Sequence, residues 1–414
     1  MHSTLYWLLI LLLFLSCAKM EEQVPAIQIS IDSTVRPVKL LEKYNIPPTK
    51  INIHTQANAN FPKFNYSQYI FDLSGVNNSY CHPDVLYFPE GFQGYEYWMV
   101  FTPYFGKVGQ DYFSKRYENP SIVVSHDGLT WVNLPVLRNP IQACPSVKES
   151  FREMKGESIQ GFWSDVDWIF RNDELELYYR GSCILQQALM KRGAKSLNNR
   201  KKLSQKNAIR NIVRQTSTDG VNWTALEVAF TSNFPSTPKD NHLISPSFIE
   251  VNGDVIAYEV EFDWQTKRYG SFEKTHVIQR HSENGLDFSP FKECKQVNFV
   301  NAPWRENENL GIWHLNVCYV SGYYFMTLSV GRIAKYTSDL LYLAYSKDGL
   351  NFYVDPKPVM TENAYRSAIF PMKVLNDQIT FGGIWGNKLG EFYYSTWDVN
   401  LPNLSNNSFL PKSN

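Results

Sequence analysis

The chain lacks a surplus of either charge. Its 40 basic residues meet 40 acidic ones, so the molecule as a whole offers no field to gather nucleic acid. It also lacks a Gly-rich phosphate-cradling loop and any His/Cys cluster at metal-ligand spacing, which argues against phosphoryl or glycosyl transfer and against a metal site within one segment. No cofactor is therefore expected, with a structural cation in a central channel the one exception left open. Long apolar runs are missing too. The longest, Leu5–Leu15, falls short of the roughly 20 residues of a bilayer span and suits a secretory leader. Cysteine is scarce, six in all. With Cys17 ending the leader five remain, an odd number, so buried free thiols are expected ahead of a disulfide framework. Charged residues make up only 19% and aromatics a full 15%, a balance that suits many short sheets packed face to face.

What is present is a repeated phrase. Ser125-His-Asp-Gly-Leu-Thr-Trp131, Ser217-Thr-Asp-Gly-Val-Asn-Trp223, Ser282-Glu-Asn-Gly-Leu-Asp-Phe288 and Ser346-Lys-Asp-Gly-Leu-Asn-Phe352 follow one another at intervals of 92, 65 and 64 residues. Such periods match one four-stranded propeller blade with generous loops. Each phrase follows an apolar β-branched run, as a tight hairpin turn would. The Gly supplies positive φ, the Asp or Asn accepts backbone N–H groups, and the aromatic packs between sheets. Working back from the turns, the inner strands open at His82, Asp165, Ser245, His314 and Arg366. The fifth repeat has lost its turn, so the reading is an all-β, five-bladed propeller of four-stranded antiparallel blades. The segment Phe64–Phe71 could supply the missing outer strand of blade five.

The domain reading runs 1–17 lipoprotein signal peptide, 18–60 flexible tether, 61–400 propeller and 401–414 tail. Leu15-Ser16-Cys17 resembles a lipobox, which implies a lipid on Cys17 and a place in a bacterial cell envelope, anchored to a membrane. Residues 191–210 carry eight basic residues and no acidic one. This stretch is either a solvated excursion or a loop meeting an anionic glycan or lipid head group.

In a propeller, polar residues opening successive inner strands converge on one funnel. His82 and Asp84 share a strand face around Pro83. Asp165 and Asp167 are paired carboxylates whose mutual repulsion raises at least one pKa. Trp163 beside them and Trp313 offer stacking faces to a sugar. His314 could protonate a leaving oxygen. Glu118 enters a third strand as an acid, base or hydroxyl ligand, or as a loop fixture. Arg366, costly to bury alone, should meet a pocket carboxylate or a substrate anion.

With these residues in view the chain resembles the five-bladed glycosidase propellers, the class that includes glycoside hydrolase family 43 and its relatives, over about 78–400. The resemblance rests on blade number, the Ser-x-Asp-Gly turns and the polar strand openings. It implies an oligosaccharide or surface glycan as partner and acid–base hydrolysis by Asp84, Asp165, Asp167 and His314. His82, Glu118, Trp163, Trp313 and Arg366 would bind substrate. Family 43 places an Asp-Pro, an Asp and a Glu at the openings of blades one to three. Here His82-Pro83 stands first, Asp165 is kept, and Ser245-Pro246 replaces the Glu. Family 117 is thought to use a His as acid, the role His314 or His82 would fill. A group of similar bacterial and phage propellers carries Trp-His-x-Asp-Val, where this chain has Asn316 for the Asp. A sialidase reading fits less well, because the turns are one residue shorter than sialidase Asp boxes. A monomeric glycoside hydrolase-like protein is the first expectation and a non-catalytic glycan-binding propeller the alternative.

Overall fold

The computed structural model describes residues 40–54, 79–104, 120–142, 158–185, 208–231, 243–262, 275–304, 310–332, 338–387 and 390–401, apart from isolated positions at 42, 45–46, 138, 140, 291–292 and 362–363. Two short strands, β1 (Thr49–Lys50) and β2 (Asn52–His54), precede the blades. Blade one holds β3 (Ser79–Phe92), β4 (Tyr95–Tyr104), β5 (Ser121–Ser125) and β6 (Thr130–Val132). Blade two holds β7 (Ser158–Arg171), β8 (Glu174–Leu185), β9 (Ala208–Ser217) and β10 (Glu227–Thr231). Blade three holds β11 (Leu243–Val251), β12 (Asp254–Phe262), β13 (Thr275–Ser282) and β14 (Lys295–Gln296), and β15 (Asn298–Phe299) leads on to blade four. Blade four holds β16 (Leu310–Val320), β17 (Tyr323–Arg332), β18 (Leu340–Ser346) and β19 (Asn351–Val354). Blade five has β20 (Tyr365–Leu375), β21 (Gln378–Gly386) and β22 (Phe392–Asn400).

The five first strands touch in the order β3, β7, β11, β16, β20 and back to β3. This closed ring makes the protein the five-bladed propeller that the repeat spacing implies. Blade five gains an outer strand from the N-terminal side, as expected in kind, in β1; residues 64–71 lie outside the described residues. Thr49 pairs with Tyr394 in blade five, and three residues on β2 runs parallel to β6 in blade one. Within the stretch read as a tether, the described residues from 40 to 54 are built into the fold. Leu40 and Leu41 are buried with blades four and five, and Ile51 with blades one and five.

The repeated turns behave as their chemistry requires. In each, Gly128, Gly220, Gly285 or Gly349 has φ between 72° and 76°. Asp127 Oδ1 accepts from the Leu129 and Thr130 amides, and Ser125 Oγ accepts from that of Gly128. The preceding blade grips the turn: Tyr178 donates its hydroxyl to Gly285 O and Tyr258 to Gly349 O. A Cβ on Gly220 would come within 2.3 Å of the Trp98 ring, so blades one and two pack closely enough there to exclude any side chain. The cores lie between blades, as where Trp98, Trp163, Trp168 and Leu175 form one apolar block. Among the described cysteines, Cys81 and Cys318 are buried and Cys294 is partly exposed.

Candidate active site at the propeller axis

Every inner strand breaks register near its start. The shifts fall between Cys81 and Asp84, Ser164 and Asp167, Ile244 and Ser247, Ile312 and His314, and Tyr365 and Ser367. A bulge re-aims one side chain and lets residues two apart reach different levels. Three bulge residues carry a cost for this, with positive φ at His82 (54°), Asp165 (52°) and Arg366 (22°), conformations that non-glycine residues hold only when the surroundings enforce them. The strict alternation expected for His82 with Asp84 and for Asp165 with Asp167 therefore gives way to two tiers.

The deeper tier is a hydrogen-bonded ring of Asp84, Asp167, Ser247 and Asn316, all buried. Each accepts an amide from the next blade: Asp84 Oδ2 from Trp168 (2.9 Å), Asp167 Oδ1 from Phe248 (2.7 Å), Ser247 Oγ from Val317 (3.0 Å) and Asn316 Oδ1 from Ile369 (2.8 Å). Blade five has Ala368 at this place, and the Val85 amide that it would have served bonds to Asp84 itself. Asn316 Nδ2 points to the centre, 3.0 Å from Asp84 Oδ1, 3.1 Å from Asp167 Oδ2 and 3.3 Å from Ser247 Oγ. Burial pushes the Asp84 carboxyl up to about 6. Burial and the neighbouring Asp84 push Asp167 well above the carboxylate range. The carboxylate that repels Asp167 is thus Asp84 of the adjoining blade, not its strand neighbour Asp165.

The outer tier gathers His82, Asp165 and His314, whose ligand atoms lie within 4.8 Å of one another. His82 Nε2 is 3.0 Å from Asp165 Oδ1. Its Nδ1 is 2.9 Å from Thr102 Oγ1, which in turn donates to Cys81 O. Asp165 is fully buried, yet Arg180 at 2.6 Å, His82 and Arg366 hold its carboxyl far below the ordinary range against the pull of burial. His314 is held neutral, pushed well down by burial and by the charge of His82.

Arg366 separates the tiers. Fully buried, it lies 3.5 Å from Asp165 and 3.7 Å from Asp167, and donates to Val166 O and Pro246 O at the bulges of blades two and three. Of the two expected partners it has found pocket carboxylates.

Around the outer tier stand Trp313 and Tyr365. The Tyr365 ring meets His314 edge-on at 4.6 Å and lies 6.2 Å from His82, and Trp313 Nε1 donates to its hydroxyl. Trp163, expected as a sugar platform, is instead core. It is fully buried, with Gly181 beneath it and Tyr179 against its edge. Glu118 lies outside the described residues, as do Cys17 and nearly all of 191–210. Sequence reasoning missed Thr102 and Arg180, which come from second strands, and the ring roles of Ser247 and Asn316. It also saw no metal-capable cluster, because the three donors sit on three different blades.

No family model matches the chain. A stretch of 80 residues, 19% of the chain, is 39% identical to an A type blood N-acetyl-α-D-galactosamine deacetylase of Flavonifractor plautii. The chain spans about a tenth of that relative's length. A solved structure of an N-acetylgalactosamine deacetylase from F. plautii with blood group B trisaccharide superposes at a TM-score of 0.56, with 20% identity over 81% of this chain and 93% of that one. That likeness is one of fold. A family 117 glycoside hydrolase from Zobellia galactanivorans is more distant, at a TM-score of 0.47 and 12% identity over 86% of this chain and 90% of that one.

Proposed function

We propose that the protein is a glycan-modifying hydrolase that removes the N-acetyl group of an amino sugar, with His82, Asp165 and His314 holding a divalent cation. The observation that carries this reading is the convergence of two imidazoles and one carboxylate within 4.8 Å, in a chain with a local match to a glycan deacetylase. Two His and one carboxylate from separate elements form a donor set suited to zinc or another first-row ion. His314 is neutral and Asp165 ionised, and His82, ion-paired with Asp165, would give up its Nε2 proton as a cation binds. Thr102 fits the same role. With its proton on Cys81 O it accepts from His82 Nδ1–H and leaves Nε2 as the nitrogen that would face a cation, the arrangement by which outer partners orient metal-binding imidazoles. Arg180 and Arg366 draw on the same carboxylate and would compete with a cation for its oxygens. A cation bound there would polarise an acetamido carbonyl or acidify a water. Hydrolysis adds that water across the amide C–N bond and yields acetate and the free amine.

Glycosidic cleavage is the second reading. It is favoured by Asp84, whose carboxyl at about 6 could keep a proton for a leaving oxygen. Both Asp84 oxygens are already engaged, by the Trp168 amide and Asn316, which places this reading behind the first. We further propose that the chain is exported and anchored through a lipid on Cys17, as its leader suggests. Membrane fractionation should show Cys17→Ser in the soluble fraction, and an unchanged distribution would remove the anchor.

The activity test incubates the protein with N-acetylgalactosamine-terminated glycans, with and without a chelator, and measures acetate, primary amine and reducing ends. Acetate and amine in equal amounts, lost with chelator and in His314→Gln, are expected. Reducing ends with the acetyl group retained would hand the site to a glycosidase, and saturable binding with no product would leave a binding propeller.

A further inference from the structure

Four rings cluster at the outer tier, and they differ in access. His82, His314 and Trp313 are 5%, 1% and 6% exposed, whereas Tyr365 is only half-buried. Of the four, Tyr365 is thus the residue with the most surface open to solvent. Its pose is fixed. The hydroxyl takes the Trp313 indole N–H, the ring stands edge-on to His314, and the following residue, Arg366, is the strained, fully buried strut of the axis. Its cross-strand partner is Gly386, so no side chain from β21 stands opposite it.

We propose that Tyr365 is the stacking platform that seats a pyranose ring beside His82, Asp165 and His314, and so selects which substituent reaches them. The inference rests on the carbohydrate reading above. It requires a sugar but neither a bound ion nor turnover. A sugar ring presents a face of C–H groups, and an aromatic ring held rigid by its neighbours receives that face at little entropic cost.

The test measures binding, not product. N-acetylgalactosamine and the blood group B trisaccharide are titrated against wild type, Tyr365→Phe, Tyr365→Leu and Tyr365→Ala, with saturation-transfer NMR to identify the contacting hydrogens. Zinc and manganese are titrated calorimetrically against the same proteins. Tyr365→Phe should bind the preferred sugar within about twofold of wild type, and Leu and Ala should weaken it about tenfold, a change of about 1.4 kcal/mol. Saturation should reach the ring C–H groups, and cation affinity should stay unchanged in all three variants. Tyr365→Leu binding as well as wild type would overturn stacking, as would a wild type that binds neither sugar. Sugar binding that depends on Tyr365 in a protein that takes up no cation would sink the deacetylase reading while leaving this one standing.

Discussion

Two tiers of polar side chains, two residues apart on the same strands, do different work. In the deeper one every oxygen that receives a neighbouring blade's amide is spoken for, and Asn316 closes the centre by pointing its amide at two carboxylates and a hydroxyl. In the outer one an ionised carboxylate is surrounded by guanidinium and imidazole groups, and an aromatic reaches out to solvent. The difference teaches that burial of charge alone does not mark an active site. What separates the tiers is the kind of partner: backbone amides of the next blade in the deeper one, charged and aromatic side chains in the outer one. The deeper tier serves the ring.

The sharpest way to break this division is Asn316→Asp, which keeps an acceptor for the Ile369 amide but adds a third acid to Asp84 and Asp167. Leaving buried charge uncompensated should cost about 3–5 kcal/mol, read as a fall in denaturation midpoint that is larger at pH 8 than at pH 5. A midpoint unmoved at pH 8 would mean that the ring is not closed as described. Ser247→Ala should cost about 1–3 kcal/mol, because the Val317 amide loses its acceptor, while leaving zinc affinity unchanged. His314→Gln should do the reverse, with cation binding lost by calorimetry and the melting midpoint nearly kept. If both variants moved both quantities alike, the tiers would be one unit. The smallest effect expected is a pH dependence of wild-type stability. Asp84 titrates at about 6 in the fold against about 4 in the unfolded chain, so its contribution is fully present below pH 4 and is lost as pH rises through 6. Melting temperature should therefore decline between pH 5 and pH 8, and by less in Asp84→Asn.

Much of the architecture was legible because the Ser-x-Asp-Gly turns fix a register, and that register puts His82, Asp84, Asp165, Asp167, His314 and Arg366 on the axis as the structure does. What could not be read was depth. An i, i+2 pair shares a face only in a regular strand, and bulges at all five openings undo the rule. One local sign was available: Pro83 and Pro246 interrupt β3 and β11, and a proline inside a central strand marks a bulge. Trp163 was misplaced for a related reason. Its partner Gly181 lies on the next strand, and a glycine that makes room for an indole leaves no trace in the segment around the tryptophan. Thr102 and Arg180 escaped because second strands carry no phrase of their own, and their use depends wholly on pairing.

The N-terminal strands that bridge blades five and one have a consequence for how the molecule is made. Lys50 pairs with Glu391, 341 residues later, so a chain emerging in order from the ribosome has its first strap ready long before the surface that will receive it exists. Four blades can stack as they appear, but the circle has to wait for the last. Until then β1 has an unmatched edge, and the nascent chain must keep that edge from finding some other strand.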